Sequence, residues 1–232
     1  MTTPPTLSKL GGDGIVPLSD YSNDPGRLVE LADTPLYVPD LEAATNYVCT
    51  RGFFDRARVQ EAIVGLTLGH LILSGPPGTG KTKLAGLLAQ AFEVDLIVET
   101  ANPEWSVYDV IGTQVLAEGQ KTAPQHGVVT TALLRCGAAI VANWDTGAGP
   151  RATWLLVDEI NRAEIDRAFG PLFTALSGDG KGSYPLDYFP GKPTIVVPNC
   201  FRLICTMNDS DTRFVNSMSG ALRRRFARSL IT

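Results

Sequence analysis

The run Gly75-Pro76-Pro77-Gly78-Thr79-Gly80-Lys81-Thr82 narrows what this chain can fold into more than any other stretch of it. It fits the pattern G-x-x-x-x-G-K-[ST], and its flanks have the form such a loop requires. Ahead of it, Leu71-Ile72-Leu73-Ser74 reads as a buried parallel strand; behind it, from Lys83 to Phe92, Leu84, Leu87, Leu88 and Ala91 recur at helical spacing. A glycine-rich turn that fits the pattern by chance has no reason to lie between a strand and a helix. In a phosphate-binding loop, glycines let backbone N–H groups turn inward around a phosphate, and the helix N-terminus adds a partial positive charge. Lys81 then reaches the β- and γ-oxygens of a nucleoside triphosphate, and the Thr82 hydroxyl holds Mg²⁺. The expected cradle is Gly75, Pro76, Pro77, Gly78, Thr79, Gly80, Lys81 and Thr82, with Lys83 in the first turn of the helix.

With 232 residues, 44% of them hydrophobic, the chain can bury a full core, and its length suits one large domain or two small ones. No run approaches the roughly 18 apolar residues of a membrane span, and Met1-Thr2-Thr3-Pro4-Pro5 lacks the basic-then-apolar layout of a secretory leader. The expectation is a soluble, cytoplasmic protein without a membrane partner. Cys49, Cys136, Cys200 and Cys205 form no C-x-x-C pair and read as reduced core thiols. A net charge of −4 argues against nucleic-acid binding over the whole surface. Arg223-Arg224-Arg225 with Arg228 forms the clearest local basic patch.

Along the chain, residues 1–50 read as an extended or loosely structured segment, since the first 39 are rich in Pro, Gly, Thr and Asp, and residues 51–232 as the folded core. Val59, Ala62, Ile63 and Leu66 mark an amphipathic helix from Asp55 to Leu68. Strands are expected at Asp95–Thr100, Ala152–Val157 and Phe201–Thr206, a helix at Ile165–Leu176, and a long irregular region at Asn102–Ile140. Strands alternating with helices specify α/β architecture with a parallel sheet covered on both faces.

The second chemical element is Thr153-Trp154-Leu155-Leu156-Val157-Asp158-Glu159, an apolar strand that delivers two carboxylates at its C-terminal end, where open α/β sheets bind ligands. Asp158 is expected to hold Mg²⁺ through water, and Glu159 to polarise the water that attacks the γ-phosphate. An Asp-Glu pair alone is a common surface feature; joined to the phosphate loop and continued as Ile160-Asn161-Arg162-Ala163 it becomes specific.

These two elements, the strand ending Cys205-Thr206-Met207-Asn208 and the closing Ala221-Leu222-Arg223-Arg224-Arg225-Phe226 together resemble the AAA+ ATPase core, over roughly residues 50–232. Within it they are similar to the MoxR, McrB and dynein-related group. Trp105 to Gly112, Phe169 to Leu172 and Val197-Pro198-Asn199 look closest to McrB-like NTPases. The resemblance implies a P-loop three-layer αβα sandwich. It implies that Asn208 is the sensor that holds the attacking water or γ-phosphate, where a plain turn asparagine is the alternative. It further implies that Arg224 and Arg225 act as arginine fingers on nucleotide held by an adjacent subunit, where a solvated basic turn is the alternative.

By the same resemblance, Asn102–Ile140 falls where the group inserts structure into its second helix, and residues 179–198 where it carries a hairpin before the sensor strand. Tyr184, Tyr188 and Phe189 then either grip a substrate or pack the hairpin. The chain stops at Thr232, where the family continues into a helical lid, so the expected core is the large subdomain with that lid absent. ATP is favoured over GTP, because the guanine-reading Asn-Lys-x-Asp is missing and Asp209-Ser210-Asp211-Thr212 departs from the McrB pattern.

Two functional classes stay open. One is a Mg²⁺-dependent NTPase motor, forming a homo-oligomer, most simply a hexameric ring, that remodels a protein or translocates DNA and drives a nuclease or other effector subunit. The other is a nucleotide-dependent switch or MoxR-like assembly scaffold with little turnover. Intact Glu159, Asn208 and Arg225 favour turnover.

Overall fold

A computed structural model describes residues 8–9, 25–116, 122–172, 175–176, 182–208, 224 and 226–232; of residues 8–9 and 25–28 it describes the backbone alone. Six parallel strands form the central sheet: β1 (Ser8–Lys9), β2 (His70–Gly75), β3 (Asp95–Thr100), β6 (Thr153–Asp158), β9 (Leu203–Asn208) and β10 (Phe226–Leu230), in the spatial order β1-β3-β6-β9-β2-β10. Every residue of β2, and all but the last of β6 and β9, is buried. This burial on both faces is why these strands read as unbroken apolar runs rather than as alternations.

Helices cover the sheet: α1 (Pro25–Asp33), α2 (Leu41–Cys49), α3 (Arg56–Leu68), α4 (Lys81–Ala91), the short α5 (Val107–Val110), α6 (Val128–Thr146) and α7 (Ile165–Phe169). Aspartates open two of them. The Asp40 carboxylate accepts the Ala43 N–H at 2.8 Å and that of Asp55 accepts the Arg58 N–H at 3.0 Å, each satisfying a donor that the first turn cannot. The core is one continuous body in which Phe92 lies 5.1 Å, ring to ring, from Trp154. The Trp154 indole donates to the Cys200 carbonyl at 2.8 Å, which ties the middle of the sheet to the entrance of β9.

Several boundaries differ from those read in the sequence. Strands β6 and β9 run later than expected, so that Asp158 and Asn208 are their last residues. The helix expected at Ile165–Leu176 stops at Phe169 and passes into a 3₁₀ turn at Gly170–Leu172, because Pro171 has no N–H to give and its ring clashes with the preceding turn. The region 102–140 is far from irregular. It holds α5, an antiparallel hairpin of β4 (Gly112–Leu116) and β5 (Thr122–His126), and most of α6. Helix α6 carries no helical signature in the sequence because it is apolar on more than one face, burying Val129, Ala132, Leu133, Leu134, Cys136 and Ile140, so no stripe marks its period.

Within residues 1–50, where loose structure is expected, α1 and α2 are regular helices. Their Leu31, Ala44 and Val48 are buried, and the Ala32 carbonyl accepts the Asn199 N–H at 2.9 Å.

The second excursion contains a hairpin of β7 (Ser183–Pro185) and β8 (Thr194–Val196). Its loop is fastened to the first hairpin. Tyr188 Oη lies 2.7 Å from His126 Nδ1 and donates to the Ile111 carbonyl at 3.1 Å, while Gln114 donates to the Tyr188 carbonyl at 3.0 Å. Phe189 stacks on the His126 ring at 5.7 Å. Tyr188 also fills the space beside Gly112, where a Cβ would meet its ring at 2.4 Å. Tyr188 and Phe189 therefore pack, the second of the two roles open to them, and the two insertions form one joined unit. Burial pushes the Tyr188 phenol up to about 12, so it stays a donor at neutral pH. Removal of that donor has a readable cost: Tyr188→Phe is expected to destabilise the protein by about 1–2 kcal/mol in urea titration and to speed amide exchange in β4 and β5.

Candidate functional site

Parallel pairing brings the sequence-predicted residues to one edge. In register, Gly75 on β2 lies beside Asn208 on β9, and Val157 on β6 beside Cys205, so the C-terminal ends of three adjacent strands carry the loop, the two carboxylates and the amide together. Of the other predicted residues, Arg224 is exposed, and Arg225 lies outside the described residues.

The loop leaves β2 at a backbone only glycine adopts readily: Gly75 has φ +151°, and a Cβ there would stand 1.9 Å from the Ile231 carbonyl oxygen. Ile231 is held in place by its own N–H, which donates to the Ser74 carbonyl at 2.7 Å. Pro76, Pro77 and Gly78 are exposed, Thr79 and Gly80 half-buried. Thr79 braces the loop by donating to the Pro76 carbonyl at 3.0 Å. Helix α4 starts after Gly80 with no side chain capping it, which leaves its first N–H groups available to an anion. Lys81 is buried at 7% exposure, and its ammonium donates to the Gly75 and Pro76 carbonyls at 2.9 and 2.7 Å. Thr82 and Lys83 are exposed on the first turn.

Across from the loop, Asp158 Oδ1 accepts two hydroxyls, Thr82 at 2.9 Å and Thr206 at 2.5 Å. Glu159 follows in the left-handed region at φ +53°. Its N–H donates to Thr206 Oγ1 at 2.8 Å, its Oε1 accepts the Asn208 amide at 3.4 Å, and its Oε2 pairs with Arg162 Nε at 2.5 Å. Arg162 is about half exposed, so this ion pair orients the carboxylate more than it stabilises the fold.

Thr206 and Arg162 were not singled out in the sequence, although each left a signal. Thr206 precedes Asn208 by two, so both lie on one face of a strand, and Arg162 follows Glu159 by three, one turn on.

The ensemble offers one ammonium, an uncapped helix N-terminus, hydroxyls and two carboxylates within one cleft edge. Thr82 and Asp158 form an all-oxygen donor pair of the kind a hard divalent cation such as Mg²⁺ takes. Such a set can hold a polyphosphate by its anionic oxygens and orient a water molecule against it.

The family model described as AAA domain (dynein-related subfamily) matches residues 70–226. Over 65 residues the chain is 38% identical to Holliday junction branch migration complex subunit RuvB of Protochlamydia amoebophila (strain UWE25), a stretch covering 27% of this chain and 19% of that protein. A solved RuvB mutant from Thermotoga maritima has a TM-score of 0.44 and 19% identity, covering 78% of this chain and 47% of that one. The chain thus spans about a fifth of the first relative's length and just under half of the second's.

The backbone contact at Gly75 yields a paired test. Gly75→Ala is expected to cost on the order of 3 kcal/mol or more in chemical denaturation, because Ile231 must move. Gly78→Ala, at φ +84° with nothing within 4 Å of its Cβ, is expected to cost only about 1–2 kcal/mol of backbone strain.

Proposed function

The chain belongs to the dynein-related subfamily of AAA domains, and on that premise we propose that it is a Mg²⁺-dependent nucleoside-triphosphate hydrolase, using ATP in preference to GTP. The observation that carries this reading is the network joining Thr82, Asp158, Thr206, Glu159 and Asn208 opposite Lys81. In it, Lys81 exchanges its loop carbonyls for the β- and γ-phosphate oxygens, and the N–H groups at the start of α4 take the remaining phosphate charge. Thr82 and Asp158 are the residues that would hold Mg²⁺, which when bound neutralises charge on the phosphate oxygens. Glu159 accepts a hydrogen bond from the attacking water and draws its proton away from phosphorus. Asn208, already in reach of Glu159, steadies that water or the γ-phosphate.

On this reading the protein works as a homo-oligomer, most simply a hexameric ring, in which Arg224 and Arg225 reach the phosphate of a neighbouring subunit. Exposure of Arg224 supports that orientation. The ring remodels a protein or moves along DNA, in the cytoplasm; a McrB-like link to a nuclease is the finer form of this proposal. No helix among the described residues is long and apolar enough to cross a membrane. A nucleotide-dependent switch or MoxR-like scaffold is the second reading, and the closed Arg162–Glu159 pair favours it by engaging the carboxylate that turnover needs.

Binding and chemistry separate cleanly in two variants. Lys81→Ala is expected to bind no ATP in a calorimetric titration, and unchanged affinity would contradict the phosphate-loop assignment. Glu159→Gln is expected to bind ATP as the unaltered chain does and hydrolyse it about a hundredfold more slowly.

The shared site predicts hydrolysis per subunit that rises with protein concentration and depends on Arg225. A rate constant over a thousandfold dilution, with Arg225→Ala fully active, would leave the switch ahead.

A further inference from the structure

Thr206 has no role in the hydrolysis reading beyond membership of the network, yet its hydroxyl stands between the two carboxylates. A threonine oxygen has one proton and two lone pairs. Here the proton goes to Asp158 Oδ1 at 2.5 Å, and a lone pair accepts the Glu159 N–H at 2.8 Å. Thr206 is 1% exposed, so bulk water does not compete for either bond.

Each bond holds something that would otherwise turn. Asp158 Oδ1 is engaged by Thr206 from the sheet and by Thr82 from the first turn of α4, which holds that oxygen from two sides and leaves Oδ2 outside both bonds. Glu159 occupies the left-handed region, a conformation that costs a non-glycine residue free energy and persists where neighbours hold it. Its N–H is held by Thr206, and its carbonyl accepts the Arg162 N–H at 2.9 Å. Two residues on, along the same face of β9, Asn208 meets the Glu159 side chain.

We propose that Thr206 is a positioning residue of the hydrolytic site: one hydroxyl fixes both the metal-side carboxylate of Asp158 and the backbone turn that aims Glu159. The proposal rests on the hydrolysis reading above. It makes strand β9 the common reference for metal, water and sensor, so that all three are aligned by one rigid element rather than by three loops.

The test compares Thr206→Val, which keeps the shape and removes both bonds, with Thr206→Ser, which keeps the hydroxyl and drops the methyl. Steady-state ATP hydrolysis and hydrogen exchange at the Glu159 amide, followed with ¹⁵N-glutamate labelling, are measured on the full chain. In Thr206→Val, kcat falls about ten- to a hundredfold, as expected for losing a charge-assisted hydrogen bond, while KM for Mg-ATP stays within about threefold. Exchange at the Glu159 amide accelerates at least about tenfold, and Thr206→Ser restores both. Should the valine variant fail to fold, Thr206→Ala takes its place with the same expectations. The role is overturned if the hydroxyl-free variant hydrolyses ATP at the unaltered rate, or if Thr206→Ser is as slow as Thr206→Val, which would assign the loss to methyl packing. An unaltered chain that hydrolyses no Mg-ATP sinks the hydrolysis reading instead. In that event the bridge still stands or falls on whether Glu159 exchange follows the hydroxyl.

Discussion

The placement of β9 between β2 and β6 is the constraint on which the rest of the structure depends. Parallel pairing gives every strand the same direction, so the three C-terminal ends converge on one edge without any loop having to bring them there. Strands β2 and β6 do not pair with each other; β9 lies between them and sets the distance from the loop to the carboxylates. Burial of all three strands makes that distance stiff, because a close-packed interior resists displacement of any one member. A polar network therefore sits at the end of an apolar sheet, with Thr206 shielded from water on its inner side and Thr82 exposed on its outer one.

Much of this was legible in the chain because the signals are local. Gly75 to Thr82 declares a strand, a turn and a helix within a short window, and Asp158 and Glu159 stand where an apolar run ends. What escaped were relations that sequence spacing does not encode. Helix α6 is buried on several faces, so its 3.6-residue period is blurred. Helices α1 and α2 lie in a stretch whose prolines and glycines suggest loose chain, yet Leu31 and Val48 find the core. The bond from Thr206 to Asp158 spans 48 positions, a contact made by topology alone.

The two insertions illustrate what sequence leaves open about an aromatic. Tyr188 and Phe189, seen in a glycine- and proline-rich loop, suit a substrate-gripping role and a packing role equally. Their actual partners are His126, Ile111 and the space beside Gly112, in the other insertion. Each hairpin on its own is too small to be stable, and a two-stranded ribbon in water is marginal at best. Together they bury enough ring surface to hold a shape, and burial also keeps His126 below its ordinary pKa, hence neutral beside the phenol.

The meeting of Gly75 with Ile231 bears on how such a chain can diverge. What Ile231 presents to the loop is its main-chain carbonyl, which any amino acid carries, whereas what Gly75 contributes is the lack of a side chain. Mutational drift is therefore lopsided across this one contact. Position 231 is answerable to the core for its size and greasiness alone, and a lineage can exchange aliphatics there freely; position 75 has no neutral neighbours in the genetic code.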